Sequence, residues 1–398
     1  MREAIICFLL LMALLSFSDM LIADDCATQN LFFPLGNGFS WSYKGIAVTD
    51  KGPVAFTSKA TCALAGSSSS QTGQIEEVFS DFPYELTQTT AVKLENGIID
   101  FVEPSVQIKH PMINGSSRSF DPSGSFQVYL PAMSQLAVGG SWTRSGSMMA
   151  DYYLDGKQIY SHSGTFSQSE TAEVVGTEKI TVPAGTFITL KIKKIANATW
   201  AGRPNPQKEI FIWLALGVGL VKEEATDGVS VKELTAYNVK PCCGFMVMSM
   251  SGAVSINGRP AAQGQGVPAD STVSVPAGSS LDLAMGDGSL IKIGPLTDLD
   301  LKQTCDKIDK LANRTLLNMI RGKIHVFFTK TFTPSPRILI NTPTASIGVR
   351  GTEFSLEVKE EAGRIQTIVE VMSGDIWVRR KGDNQEVILQ AGAKQVFE

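Results

Sequence analysis

Three histidines, His110, His162 and His325, are the natural starting points for general-base or zinc chemistry near neutral pH. They stand far apart, and no His-Glu-x-x-His helix or Cys-x-x-Cys spacing accompanies them. His162 lies between Ser161 and Ser163, yet the strand–turn–helix Gly-x-Ser-x-Gly setting of a nucleophilic serine is missing. His325, between Ile324 and Val326, is expected to face solvent on the opposite side of its strand. The doublets Asp24-Asp25, Glu76-Glu77, Glu223-Glu224 and Glu360-Glu361 do not form acid/base pairs by themselves, because neighbours in a strand point to opposite faces. Gly36-x-Gly38, Gly217-x-Gly219 and Gly264-x-Gly266 lack the following helix of a phosphate cradle. Among Asp282, Asp287, Asp298 and Asp300, only Gly286-Asp287-Gly288 forms a clear pattern, and it reads as a hairpin turn rather than a calcium loop. The expectation is no catalytic residue, no metal and no cofactor, hence a protein that is not an enzyme.

The cysteines point to compartment more than to catalysis. A short charged start, Met1-Arg2-Glu3, precedes an apolar run from Ala4 to Phe17, with Ala23 as a plausible cleavage position. Residues 1–23 are read as a signal peptide. An uncleaved anchor is the alternative, although Ser16, Ser18 and Asp19 interrupt the run. Export, to the periplasm or beyond, permits disulfides. Cys7 leaves with the signal, and Cys26, Cys62, Cys242, Cys243 and Cys305 remain. Several pairings stay open. Cys26 with Cys62 is the favoured bridge, because both lie at the start of the first domain; Cys305 with Cys242 or Cys243 comes second. No later segment is apolar enough for long enough to cross a membrane once the signal is removed.

The elements around these residues read as β throughout. Hydrophobic residues make up 43% and charged residues 19%, enough to fill cores, while 36 glycines and 18 prolines supply turns for short strands. A formal charge of −4 argues against nucleic acid as a partner. Residues 24–240 carry strand-length runs such as Ala91–Val102, Glu173–Val182 and Phe187–Ile195, with loop-like stretches including Asn114–Gly124. Trp41, Tyr43, Trp142 and Trp213 are large anchors suited to plugging or lining a curved, barrel-like sheet. Val239–Gly244 reads as a hinge. Beyond it Gly252-Ala-Val-Ser-Ile256, Gly322-Lys-Ile-His-Val326 and Gly374-Asp-Ile-Trp-Val378 echo one another, each placing two aliphatic residues on one face after a turn glycine. Residues 246–398 are therefore expected to form a compact domain of related β units, with one short helix at Asp306–Asn313.

The order of pieces in that second domain resembles the FecR domain. They are Ser251-Gly-Ala-Val-Ser-Ile, Ala284-Met-Gly-Asp-Gly-Ser-Leu-Ile-Lys-Ile, Asn341-Thr-Pro-Thr-Ala-Ser-Ile-Gly-Val-Arg-Gly-Thr-Glu-Phe354, Val371-Met-Ser-Gly-Asp-Ile-Trp-Val and Leu389-Gln-Ala-Gly. The most specific stretch contains Thr342, Pro343, Arg350, Gly351 and Thr352. Physically, Pro343 forces an extended entry and Gly351 permits close backbone approach. Arg350 reads as fixing a turn or pairing with Glu353, so the motif is expected to be structural. The first domain is similar to uncharacterised exported β-rich bacterial proteins through Phe33-Pro-Leu-Gly-Asn-Gly-Phe-Ser-Trp-Ser-Tyr43, Val182-Pro-Ala-Gly-Thr-Phe187 and Trp213-Leu-Ala-Leu-Gly-Val-Gly-Leu-Val-Lys222.

The resemblance implies a domain outside the cytoplasm; the best-known members relay a signal from an outer-membrane receptor to a sigma factor. Such relay needs a cytoplasmic segment, and only Met1–Glu3 precede the apolar run here. The leading expectation is accordingly an exported, non-enzymatic envelope protein whose FecR-like domain binds or scaffolds a protein or polymer. The second is a carrier of a small apolar ligand in the first domain. Extracytoplasmic signalling and an unrecognised hydrolase follow.

Overall fold

The computed structural model describes residues 30–49, 52–67, 70–81, 85–95, 98–109, 117–124, 130–132, 135–154, 157–158, 164–200, 202–204, 207–239, 244–285, 288–304, 314–328, 338–349, 352–383 and 386–398. They form strands and turns with no α-helix among them. The expected helix at 306–313 and most of the hinge, 240–243, fall outside them.

The first domain comprises β1 (Ser40–Thr49), β2 (Gly52–Ser67), β3 (Ser70–Ser80), β4 (Glu85–Glu95), β5 (Ile98–Lys109), β6 (Ser117–Gly124), β7 (Ser141–Leu154), β8 (Lys157–Gln158), β9 (Gly164–Val182), β10 (Gly185–Trp200), β11 (Arg203–Pro204), β12 (Lys208–Ala215), β13 (Gly219–Ala225) and β14 (Val231–Asn238). The pairing path runs β10–β12–β13–β14–β1 and on in order to β7; β9 then pairs both β7 and β10, so the hydrogen-bonded circuit returns on itself. The result is the curled, barrel-like sheet that the sequence suggests. Two local expectations change. Ala91–Val102 is a hairpin, with Glu95 opposite Ile98, so the Asn96-Gly97 turn signal outweighs the continuous apolar run. The supposed loop at Asn114–Gly124 contains β6, whose Arg118, Phe120 and Pro122 pair with β7 despite a polar, turn-rich composition.

Alternation gives the sheet an inside. Trp41, Ala60, Cys62, Leu64, Val92, Leu94, Val174, Ile192 and Ile212 are buried there. One end is plugged. Leu31, Phe32, Leu35 and Phe39 fill it, together with Leu130 and Leu136. Asn30 ties this segment down by donating to Pro131 O (3.1 Å) and accepting from Phe32 N (3.2 Å). The Trp41 indole donates to Val218 O (2.6 Å) and the Tyr43 hydroxyl to Leu220 O (3.3 Å), so both are interior anchors as expected. Trp213 instead lies on the outer face beneath Lys191 and Lys222, its indole donating to Glu178 Oε2 (2.6 Å).

The second domain comprises β15 (Phe245–Ser251), β16 (Ser255–Ile256), β17 (Arg259–Pro260), β18 (Gly266–Val267), β19 (Asp270–Val275), β20 (Ser280–Met285), β21 (Leu290–Ile293), β22 (Thr297–Thr304), β23 (Arg314–Phe327), β24 (Ile338–Asn341), β25 (Ala345–Val349), β26 (Glu353–Glu361), β27 (Arg364–Ser373), β28 (Asp375–Arg380), β29 (Glu386–Gln390) and β30 (Lys394–Phe397). The long β23 belongs to both halves of the sheet. Its first half pairs β22 and β24, and its second half pairs β21 and β26. The change of partners falls at Gly322 (φ 104°), where a β-carbon would collide with Thr297. The echoed units behave as expected: Gly252, Gly322 and Gly374 all have positive φ, and Val254, Ile256, Ile324, Val326, Ile376 and Val378 are all buried in one core.

Candidate functional site

Opposite the plug, the first domain's interior opens into a cleft of about 470 Å³. Phe56, Phe79 and Leu86 supply its apolar walls, and the exposed Ile46 and Val48 lie at its rim. A transverse row of the ladder, Glu223–Lys232–Gly45–Phe56, crosses it. Gly45 matters because any β-carbon there would strike Val231 O and the Phe56 ring. The gap it leaves is filled by the Phe56 ring. Lys232 Nζ lies over the Tyr43 ring (4.4 Å to the centroid) and pairs with Glu77 Oε1 at 2.6 Å, with both side chains mostly buried. Ser58 Oγ donates to the same carboxylate oxygen (2.5 Å). Glu77 comes from a doublet whose other member, Glu76, is exposed, as strand alternation requires.

A second charged group lies on the same inner surface. The guanidinium of Arg144 (β7) donates bidentately to Glu170 (β9), with Nε–Oε1 and Nη2–Oε2 both 3.0 Å, and Lys194 Nζ (β10) reaches Glu170 Oε1 at 2.9 Å. Lys194 and Glu170 are 4% and 5% exposed. Burial alone would raise the Glu170 carboxyl, but Lys194 and Arg144 together outweigh it and hold the group below the usual carboxylate range. Burial pulls the Lys194 ammonium down despite its pairing with Glu170. A charge cluster this deep costs desolvation energy that an apolar filling would avoid, so it is poorly explained by stability. Trp142, half-buried on the same face, keeps its indole N–H buried with no acceptor among the described residues.

This interior suits recognition of a small molecule with an apolar body and a polar group. Among the described residues it holds no nucleophile–base–orienter set. Among the described residues no three His, Cys, Asp or Glu side chains converge as they would around a metal ion. His110 and His162 lie outside the described residues. Cys62 is a free, buried thiol whose pKa burial pushes up to about 11, so it stays protonated at neutral pH. Its expected partner Cys26 lies outside the described residues, and the anticipated bridge is not among the described bonds. The charged cluster itself carried no sequence signal, because its members come from separate strands and only the register brings them together.

Of the motif residues of the second domain, Thr342, Pro343 and Thr352 are described. Thr342 is buried; its hydroxyl accepts from Ala345 N (3.0 Å) and lies 2.7 Å from Thr367 Oγ1. Pro343 follows within the same turn, closed by Thr342 N to Ala345 O (2.8 Å). Thr352, also buried, donates to Asp375 O (2.8 Å). Arg350 and Gly351 lie outside the described residues. The next residue, Glu353, reaches across to the first domain: Lys179 Nζ is 2.8 Å from its Oε2, and His325 Nε2 is 3.4 Å from its Oε1. That hydrogen bond from Lys179 holds Glu353 below the usual carboxylate range. Lys179 also lies over Phe327, which joins Met246, Ala284 and Leu290 in packing against the first domain's core. His325 lies beside this contact, partly exposed on the side opposite Ile324 and Val326.

Residues 271–389 match the FecR protein family, and residues 149–238 match the DUF3108-like family. No curated protein matches the chain. Among solved structures, a protein from Bacteroides fragilis described as exported and YmcC-like in fold is 15% identical over 52% of this chain and 99% of its own, with a TM-score of 0.37. A protein from Parabacteroides distasonis described as a lipoprotein is 17% identical over 53% and 99%, with a TM-score of 0.34. Another from that organism, described as an anti-sigma factor, is 15% identical over 31% and 53%, with a TM-score of 0.26.

Proposed function

We infer that this chain, whose C-terminal domain is FecR-like, is an exported binding protein without enzymatic activity: its first domain is a cup for a small ligand, and its FecR-like domain is the platform that engages an envelope protein or polymer. The observation that carries the reading is the open cleft lined by apolar side chains around the buried Glu77–Lys232 pair. Apolar walls with a few fixed polar groups are the usual composition of a small-molecule site. The signal-like N-terminus supports export. The FecR match supports a second reading, a component of extracytoplasmic signal transduction, in which ligand in the cup would be sensed through the packed domain joint.

Native mass spectrometry of the full chain, purified under several gentle extraction conditions, tests the cup. A co-purifying small molecule that is lost in Lys232→Met is the expected result. A ligand-free mass under every condition would overturn the carrier half of the reading and leave the platform half to stand alone.

A further inference from the structure

The outer face of the second domain carries two parallel rows that cross its strands at right angles. One row is Leu316–Leu339–Gly348–Trp377–Ile388, running from β23 through β24, β25 and β28 to β29. The next is Asn318–Asn341–Ser346–Arg379–Glu386 on the same strands. The alternate residues, Leu317, Ile340, Ile347 and Val378, fill the core, so both rows look outward.

Each row has its own chemistry. Trp377 lies across Gly348, where any β-carbon would collide with the indole, so the ring rests on the sheet backbone as a half-buried platform, with the Arg379 guanidinium of the neighbouring row 5.8 Å from its centroid. Ile388 continues the apolar strip and is 69% exposed. In the neighbouring row the side chains form a hydrogen-bonded ladder: Ser346 Oγ donates to Asn341 Oδ1 (2.9 Å), and Asn341 Nδ2 donates to Asn318 Oδ1 (3.2 Å). Arg379 and Glu386 close the row as an opposed pair (3.9 Å), so the strip carries no net charge.

We propose that this face binds an extended, uncharged, β-1,4-linked polysaccharide strand. The pyranose ring has an apolar C–H face that stacks on an aromatic platform and a hydroxyl edge that hydrogen-bonds amides; Trp377 and the asparagine ladder present those two partners side by side. Strands repeat about every 4.8 Å across a sheet, close to the length of one sugar unit in an extended chain, so a glycan lying along the rows meets one strand per unit. Neutrality of the strip matches an uncharged chain, and a protein hot spot would want a drier apolar centre than this ladder allows. The assignment rests on the platform reading above and names its polymer.

The test is affinity electrophoresis and titration calorimetry of the full chain with cellohexaose and chitohexaose, with the β-1,4-linked hexamannuronate as the charged control. Saturable binding to at least one neutral hexasaccharide, absent for hexamannuronate, is expected. Trp377→Ala should weaken it at least tenfold and Asn341→Ala several-fold, with unchanged melting midpoints. Should Trp377→Ala fail to fold, Gly348→Ala, which pushes the indole off its seat, and Asn341→Ala provide the same readout. Failure of both hexasaccharides to bind, equal binding of the charged chain, or unaltered binding by the variants would overturn the proposal. Capture of an envelope protein that is lost in Trp377→Ala, with neither hexasaccharide bound, would overturn the glycan assignment while leaving the platform reading intact.

Discussion

The two domains fill their interiors in opposite ways. The second domain closes on aliphatic and aromatic side chains, and its buried polar residues are largely serines and threonines, such as Thr342, Thr352 and Thr367, two of which bond each other. The first domain plugs one end with Leu31, Phe32, Leu35 and Phe39, but places Arg144, Glu170, Lys194, Glu77 and Lys232 along the inner wall toward an open mouth. Hydrophobic filling is the cheaper way to stabilise a β domain. The second domain takes it, which leaves only its outer surface for the proposed binding. The first domain forgoes it in its upper half, which is where a ligand would enter.

The sharpest way to break that contrast is to remove one interior charge. Glu170→Ala removes the carboxylate that both Arg144 and Lys194 pair with, and is expected to cost about 3–5 kcal/mol in urea-unfolding experiments. Such a loss should fall on the first domain's transition. The pH dependence follows the same logic. Because the folded-state pKa of Glu170 lies below its unfolded value, its contribution is present above the unfolded carboxylate pKa and disappears as pH falls through the folded one. Acid titration should therefore destabilise the wild type relative to Glu170→Gln, and the gap between them should shrink toward low pH. A gap that stayed constant would place the effect elsewhere.

In the second domain the matching change is apolar. Phe354, fully buried, stacks near Phe328 (6.3 Å between centroids), and Phe354→Ala is expected to cost about 3–5 kcal/mol. The hydroxyl network is worth less: Thr342→Val strands the Ala345 N–H and removes one of the two hydroxyl partners of Thr367, the other being Thr344, for a loss of about 1–3 kcal/mol. If Thr342→Val proved as damaging as Phe354→Ala, the polar cluster rather than the apolar core would be the keystone of this domain.

How much of this was legible in the sequence differs between the two interiors for a physical reason. The second domain repeats a local pattern, glycine followed by aliphatics two apart, and local patterns survive without knowledge of the fold; Val254, Ile256, Ile324, Val326, Ile376 and Val378 could be placed from it. The charged cluster could not, because Arg144, Glu170 and Lys194 meet only through the register of β7, β9 and β10. Trp213 misled for a related reason. Its bulk suggested an interior anchor, but strand parity sets it opposite Ile212, and two lysines with Glu178 make the outer position tolerable. Likewise His325 was correctly set apart from Ile324 and Val326, yet only the packed second domain reveals that its face meets Glu353 and Lys179.

That joint is where the two interiors touch, and its salt bridge is the weakest link tested. Lys179 is half-exposed, so Lys179→Ala should lower overall stability by only about 0.2–1 kcal/mol. Removing apolar packing at the same surface should do more: Phe327→Ala deletes a side chain that is 7% exposed and packs with the first domain's core. The informative readout is cooperativity. With the joint intact, the domains should unfold in transitions that shift together when either is perturbed. In the Lys179→Ala, Phe327→Ala double variant, Glu170→Ala should then move only the first domain's transition and leave the second's in place. Were the transitions to remain coupled in that background, the apolar contacts of Met246, Ala284 and Leu290 alone would suffice to hold the two domains as one unit.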